Sequence, residues 1–167
     1  VEAGGTLSVN GGEFSGNTSS ASSPNTGGGA IHSFGTVTVN GGTFAGNTTG
    51  RNDESNLGYH GGGAIWSDGT LTINGGEFTG NISQAQHYWA SGKLPTGGGA
   101  IWATRSLTVN GGTFTGNWQK DGNSTLYGTG GGAIYFGDGT KGTDANGTLT
   151  INGGTFTIVS DGDCIDS

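Results

Sequence analysis

Methionine is absent from this chain of 167 residues, cysteine occurs once, proline twice, and Lys plus Arg number five. Each scarcity excludes something. A lone cysteine, Cys164, cannot close an internal disulfide framework. It stands in Gly162-Asp-Cys-Ile165, where other parts of the chain read Gly-Gly-Ala-Ile, and so reads as a small packing residue. The positive residues Arg51, Lys93, Arg105, Lys120 and Lys141 are scattered singly in a chain of net charge −7. Phosphate recognition needs clustered Lys and Arg, so nucleic acid is excluded as a partner. No apolar run approaches the roughly 20 residues of a membrane helix, so this segment is not expected to insert into a bilayer. No signal-peptide pattern opens the chain, which starts at Val1 and is expected to be a mature product or an excised fragment. Strong helix formers are scarce as well.

What is abundant is glycine, 40 residues of it. At that level without a period the expectation would be disorder. Here the glycines fall at fixed places in one phrase. Its copies run from Thr6 to Asn17, Thr36 to Asn47, Thr70 to Asn81, Ser106 to Asn117 and Thr148 to Thr157, each with the core Asn-Gly-Gly-x-Phe. Gly-Gly-Gly-Ala-Ile opens the intervals at 27–31, 61–65, 97–101 and 130–134. A phrase with a period of about 34 residues indicates a stacked array, in which each unit buries its apolar face against its neighbours.

Parity assigns the faces. In Thr70-Leu71-Thr72-Ile73, Leu and Ile share one side and the threonines the other, as a period of two requires. Phe78 points inward between Glu77 and Thr79, and Ile65 inward beside an outward Trp66. Each unit thus holds three short strands, and the expected fold is all-β, a right-handed parallel β-helix of about five coils forming one domain over 1–167. Asn-Gly-Gly makes the corner between the second and third strands, where left-handed backbone angles are needed. Stacked in register, Asn74 lies between Asn40 and Asn110 at about 4.8 Å spacing, so their amides are expected to form a hydrogen-bonded ladder. Length varies after Gly-Asn (18–26, 48–60, 82–96, 118–129) and at 137–147, which read as surface loops. Strand-Asn-Gly-strand is also a strong hairpin signal, so antiparallel pairing of 37–39 with 43–45 is the rival.

Gly28-Gly-Ala-Ile31 with Phe44-x-x-Asn47, Gly62–Ile65 with Phe78 and Asn81, and Gly98–Ile101 with Phe114 and Asn117 resemble the repeat of chlamydial polymorphic outer-membrane proteins. The fuller phrase is similar to repeats in large bacterial surface proteins. The resemblance implies a right-handed parallel β-helix that is secreted or surface-displayed and acts in adhesion. The fifth unit departs from it, since Phe156-Thr-Ile-Val159 lacks the asparagine. Both ends fall within a coil, and the expectation is a segment of a longer solenoid or a unit that stacks end to end in a fibre.

Function is then sought on the outer faces. His32, Trp66, Trp102 and Tyr135 share one outward slot in successive units, and Tyr88 and Trp89 lie in a loop. Aromatic rings beside polar groups make platforms for glycans or a host surface, so these are candidate ligand-binding residues. Thr36, Thr38, Thr70, Thr72, Thr108, Thr148 and Thr150, with Thr6, Ser8 and Ser106, form two uncharged ranks of hydroxyls. Their spacing, about 4.8 Å between coils and about 6.7 Å within a strand, makes them a candidate ice-binding face. Glu13 and Glu77 share a slot with Thr43 between them, about 9.6 Å apart by two spacings. That separation fits an inverting polysaccharide hydrolase, but flat outer faces leave both acids solvated, so no catalytic residue is assigned. Asp161-Gly-Asp163 and Asp138-Gly match no complete Ca²⁺ loop, and neither metal nor cofactor is expected. Asn17, Asn47, Asn81, Asn123 and Asn146 head Asn-x-Ser/Thr triplets and are candidate N-glycosylation sites. The expectation is a non-catalytic extracellular or cell-surface structural and adhesive module. Ice binding stands second and a polysaccharide lyase or hydrolase third.

Overall fold

A computed structural model describes residues 1–20, 27–50, 61–85, 97–121, 131–137, 147–157 and 165–166. Its strands pair in parallel, coil on coil, in four stacked sheets. The threonine sheet comprises Thr6–Val9, Thr36–Val39, Thr70–Ile73, Ser106–Val109 and Thr148–Ile151. The phenylalanine sheet comprises Glu13–Ser15, Thr43–Ala45, Glu77–Thr79, Thr113–Thr115 and Thr155–Thr157. The isoleucine sheet comprises Ile31–Ser33, Ile65–Ser67, Ile101–Ala103, Ile134–Phe136 and Ile165–Asp166. Like residues superpose: Thr36 pairs with Thr6 and Thr70, and Phe78 with Phe44 and Phe114. Val37 pairs with Leu7 and Leu71 of the adjacent coils, never with the strand across its own Asn-Gly corner, so the hairpin alternative is excluded. The fold is a parallel β-helix.

These three strands per coil are the ones that parity marked. A fourth sheet adds Thr18–Ser19, Thr48–Gly50, Ile82–Ala85 and Trp118–Asp121, where the sequence suggested the start of the loops. Its inward residues Thr49 and Ser83 are buried but polar, so no apolar alternation announces it. The backbone still demands pairing there: Thr48, Ile82 and Trp118 donate N–H to the carbonyls of Asn17, Asn47 and Asn81 at 2.8–2.9 Å.

The core is a set of columns running along the stack. Val37, Leu71 and Leu107 make one, Val39, Ile73 and Val109 another, and all six are completely buried. The Phe rings at 14, 44, 78, 114 and 156 stack with centroids 4.7–4.8 Å apart and planes within 4–6° of parallel. Removing each interior side chain from water is worth about 1.5–3 kcal/mol. The corner entering the phenylalanine strand is set by its second glycine: Gly42, Gly76 and Gly112 have φ of +105° to +106°, which an L side chain rarely adopts. The Gly-Gly-Gly-Ala-Ile segment needs glycine for space instead. A Cβ at Gly62 would collide with the Ile65 carbonyl and the Trp102 backbone nitrogen.

Two asparagine ladders run along the axis with opposite polarity. In the outer one Asn40, Asn74, Asn110 and Asn152 each donate Nδ2–H to Oδ1 of the rung before, at 2.8 Å. All of these rungs are exposed. In the inner ladder Asn17, Asn47 and Asn81 donate Nδ2–H to the rung after, at 2.8–2.9 Å. Here Asn47 and Asn81 are completely buried. The second N–H of Asn81 goes back to the Phe44 carbonyl at 2.8 Å, and its Oδ1 accepts from both the backbone N–H and the side chain of Asn47. All four hydrogen-bonding positions of that amide are filled.

Candidate functional site

The outward slot of the isoleucine sheet brings His32, Trp66, Trp102 and Tyr135 into one file, in register. The file does not present ring faces. Trp66 is 1 % and Trp102 0 % exposed, while His32 and Tyr135 are half-buried. The rings meet edge to face: His32 on Trp66 with centroids 4.5 Å apart, and Trp102 on Tyr135 at 5.1 Å. Trp102 Nε1 donates to the Gly137 carbonyl at 2.8 Å. A glycan cannot stack on a buried indole, so Trp66 and Trp102 are corrected from ligand platform to a second, outer packing layer. Parity assigns their slot but not their burial, because an outward strand position is covered or bare according to what lies over it. Tyr88 and Trp89 lie outside the described residues.

Phe34 is the aromatic residue that sequence reasoning passed over. It is 45 % exposed and sits against Trp66 at 5.3 Å and His32 at 5.0 Å between centroids. Its slot holds Asp68 and Thr104 in the following coils, so no aromatic repeat flagged it. Trp118, on the fourth sheet, is 46 % exposed. Burial, then the positive N-terminus of Val1, hold the His32 imidazole below its ordinary pKa, with Glu2 opposing. Asp68 accepts a hydrogen bond from Thr104 and pairs with Arg105 Nε at 3.0 Å. That pair is exposed enough for water to screen most of its attraction.

The threonine sheet carries Thr6, Thr36, Thr70, Ser106 and Thr148 in one outward file and Ser8, Thr38, Thr72, Thr108 and Thr150 in the other. Every outward position of this sheet is a hydroxyl, and each is exposed or half-buried. The adjoining phenylalanine sheet sets Glu13, Thr43, Glu77, Thr113 and Thr155 in its first outward file. Glu13 and Glu77 are exposed, and Glu77 accepts from Thr79 at 3.1 Å. Among the described residues no group of three or more His, Cys, Asp or Glu is placed to hold a metal ion. Asp138, Asp161, Asp163 and Cys164 lie outside the described residues.

Of the glycosylation candidates, Asn47 and Asn81 are corrected. Both are rungs of the inner ladder with no solvent exposure, so neither amide is accessible to a transferase in the folded chain. Asn17 is exposed, with its amide bonded to Asn47. Asn123 and Asn146 lie outside the described residues.

With this geometry in place, the family model of the Chlamydia polymorphic membrane protein repeat matches residues 11–33. That stretch runs from the Asn-Gly-Gly corner through Phe14 and Asn17 to the first isoleucine strand. It is similar to a repeat of those proteins, and what it matches is the structural unit of the coil. Comparison with curated proteins finds no match, and comparison with solved structures finds none.

Proposed function

We propose that this chain is a non-catalytic β-helix module of a cell-surface or extracellular protein, serving as a structural and adhesive element. The observation that supports it is the match of residues 11–33 to a membrane-protein repeat, because the corner, ladder and strand residues of that stretch recur in later coils. An array of such coils is an extended rod with flat polar faces, suited to spacing and presenting contacts away from a membrane. The burial of Trp66 and Trp102 moves the candidate contact to the exposed aromatics Phe34 and Trp118 and the polar faces around them. Beads coated with the chain should adhere to cells or to a glycan array, and Phe34→Ser with Trp118→Ser should lower binding at least about tenfold with the far-UV spectrum unchanged. Absence of binding by the folded wild-type chain would remove the adhesive role. Glu77→Gln should leave adhesion untouched.

A second reading is favoured by the threonine sheet. Ten outward hydroxyl positions in two uncharged files, spaced by the sheet itself, form a regular lattice that could order water as ice does. At micromolar protein this predicts thermal hysteresis and inhibited ice recrystallisation, both lost on changing Thr72 and Thr108 to tyrosine. Ordinary ice growth in the presence of the folded chain would eliminate it.

A further inference from the structure

The sequence parity that builds the outer asparagine ladder also builds a covalent modification site. We propose that its Asn-Gly rungs deamidate spontaneously through a cyclic imide in the folded chain, with the amide of the following rung stabilising the oxygen that becomes charged. The inference does not depend on the adhesive reading. The ladder needs asparagine at Asn40, Asn74 and Asn110, each of which donates Nδ2–H to the rung before at 2.8 Å. The next position needs glycine for space. A Cβ at Gly75 or Gly111 would lie 3.0 or 2.8 Å from the carbonyl oxygen of the asparagine one coil earlier. The fold thus places asparagine directly before glycine at this corner. In that pair the side-chain amide is most open to the following backbone nitrogen, because glycine has no side chain to obstruct the approach. Asn40, Asn74 and Asn110 are exposed. Among the described residues the N–H of Gly41, Gly75 and Gly111 has no acceptor, so the attacking nitrogen is not tied into the sheet. The inner ladder differs on every count. Asn47 and Asn81 are completely buried and precede β-branched Thr48 and Ile82, whose N–H groups are bonded to the carbonyls of Asn17 and Asn47 at 2.9 and 2.8 Å.

In the step itself the Gly75 nitrogen gives its proton to hydroxide and bonds to Asn74 Cγ, pushing negative charge onto Oδ1. The Cγ–Nδ2 bond then breaks and ammonia leaves, taking a proton from water. Water opens the resulting imide. Opening between Cγ and nitrogen gives aspartate; opening between the backbone carbonyl carbon and nitrogen gives isoaspartate, whose main chain runs through Cβ. One water is consumed, one ammonia is released, and nothing is oxidised or reduced. The ladder's polarity bears on the rate. Asn110 Nδ2–H points at Asn74 Oδ1, where the charge develops, whereas Asn40 Oδ1 lies on the side of the departing nitrogen. A rung that has become aspartate offers no N–H to the rung before it and sets a carboxylate against that rung's oxygen. Conversion at Asn74 therefore slows conversion at Asn40 more than at Asn110, and the exposed edge acquires spaced negative charges as the chain ages.

Peptide mapping by mass spectrometry tests this on the folded chain, aged in mildly alkaline buffer made with heavy-oxygen water. Asn40, Asn74 and Asn110 should take up one oxygen from water and appear as mixtures of aspartate and isoaspartate, at least about tenfold faster than Asn47 and Asn81. The part played by the neighbouring rung is read from a charge-matched pair of variants. Asn110→Asp puts a carboxylate against Asn74 Oδ1, and Asn40→Asp puts one against Asn74 Nδ2. Conversion at Asn74 should be at least about threefold slower in the first than in the second, a smaller effect than a buried oxyanion donor gives because water reaches this edge. In urea, where no ladder remains, that gap should close. Outer rungs that convert no faster than inner ones in the folded wild type overturn the proposal, as does conversion without isoaspartate. Equal rates at Asn74 in the two folded variants, or a gap that persists in urea, overturn the role of the following rung. If either variant fails to fold, Asn110→Ala and Asn40→Ala carry the same comparison without added charge, and the same order is expected.

Discussion

Asn81→Ala and Asn74→Ala remove the same side chain from the same coil, each from the middle of an asparagine ladder, and should differ several-fold in cost. Asn74 donates to Asn40 and accepts from Asn110, both at 2.8 Å, on an exposed edge. Truncating it lets water take over both partners, so the loss should be about 1 kcal/mol or less. Asn81 is completely buried. Truncating it strands the backbone N–H of Asn47 and one N–H of the Asn47 side chain, and takes one donor each from the Phe44 carbonyl and Asn117 Oδ1. At about 1–3 kcal/mol for each stranded buried group, and with some relaxation, the loss should be roughly 2–5 kcal/mol. That is a large part of the 5–15 kcal/mol typical of a folded domain.

The assay is urea unfolding followed by both far-UV circular dichroism and tryptophan fluorescence, so that a coil melting separately would show as diverging transitions. Asn81→Asp gives the same contrast a pH axis. At neutral pH a carboxylate at this position keeps the donors from Asn47 but faces the Phe44 carbonyl and Asn117 Oδ1 with no proton to give. Burial without enough donors raises its pKa. The variant should therefore regain stability as pH falls and the carboxyl becomes protonated and donates, the opposite of ordinary acid destabilisation. Equal losses for Asn74→Ala and Asn81→Ala, within about 0.5 kcal/mol, would refute the claim that burial separates the two ladders.

Gly76→Ala should cost about 1–3 kcal/mol in the same urea assay, because φ of +106° is strained for any L side chain. His32 stays neutral in the fold, so below about pH 6.5 the unfolded chain takes up a proton that the folded chain does not. Stability should fall as pH drops through that value and level off once folded His32 is itself protonated, and His32→Gln should flatten this slope relative to wild type. Secreted through a glycosylating host, the chain should carry no glycan at Asn47 or Asn81 once folded; peptide mapping that finds occupancy at either would mean modification before the coil closes.

The parts of this fold legible in the sequence are those in which a residue's chemistry repeats with its slot. Leu71, Ile73 and Phe78 alternate with Thr72, Glu77 and Thr79, and that parity marks three strands and their inward sides without coordinates. Asn74 is recognisable as a ladder rung because Asn40 and Asn110 occupy its slot. The fourth sheet was hidden because Thr49 and Ser83 point inward as polar residues, and because its strands flow into segments of variable length. Asn81 reads as a corner in the sequence, yet all four hydrogen-bonding positions of its amide are filled, since satisfaction of an amide depends on the coils on either side. The aromatic file shows the remaining gap. Sequence places Trp66 and Trp102 outward from the helix core, and an outward position is accessible only where nothing packs over the sheet.

The opposed polarity of the two ladders bears on what an end of this solenoid is. Side-chain amides aligned in one direction along a stack would add their dipoles, much as peptide units do in a helix. Here the outer amides donate toward the first coil and the inner ones toward the last, so the two sums oppose each other along the axis. Neither end therefore accumulates the charge character that a single ladder would give it, and a coil can be added at either end without working against a growing dipole. Each interior coil also gains from two neighbours and an end coil from one, as the contrast between buried Leu71 and half-buried Leu7 and Leu149 shows. Adding coils thus stabilises this architecture, and neither ladder's amide dipole alone limits it.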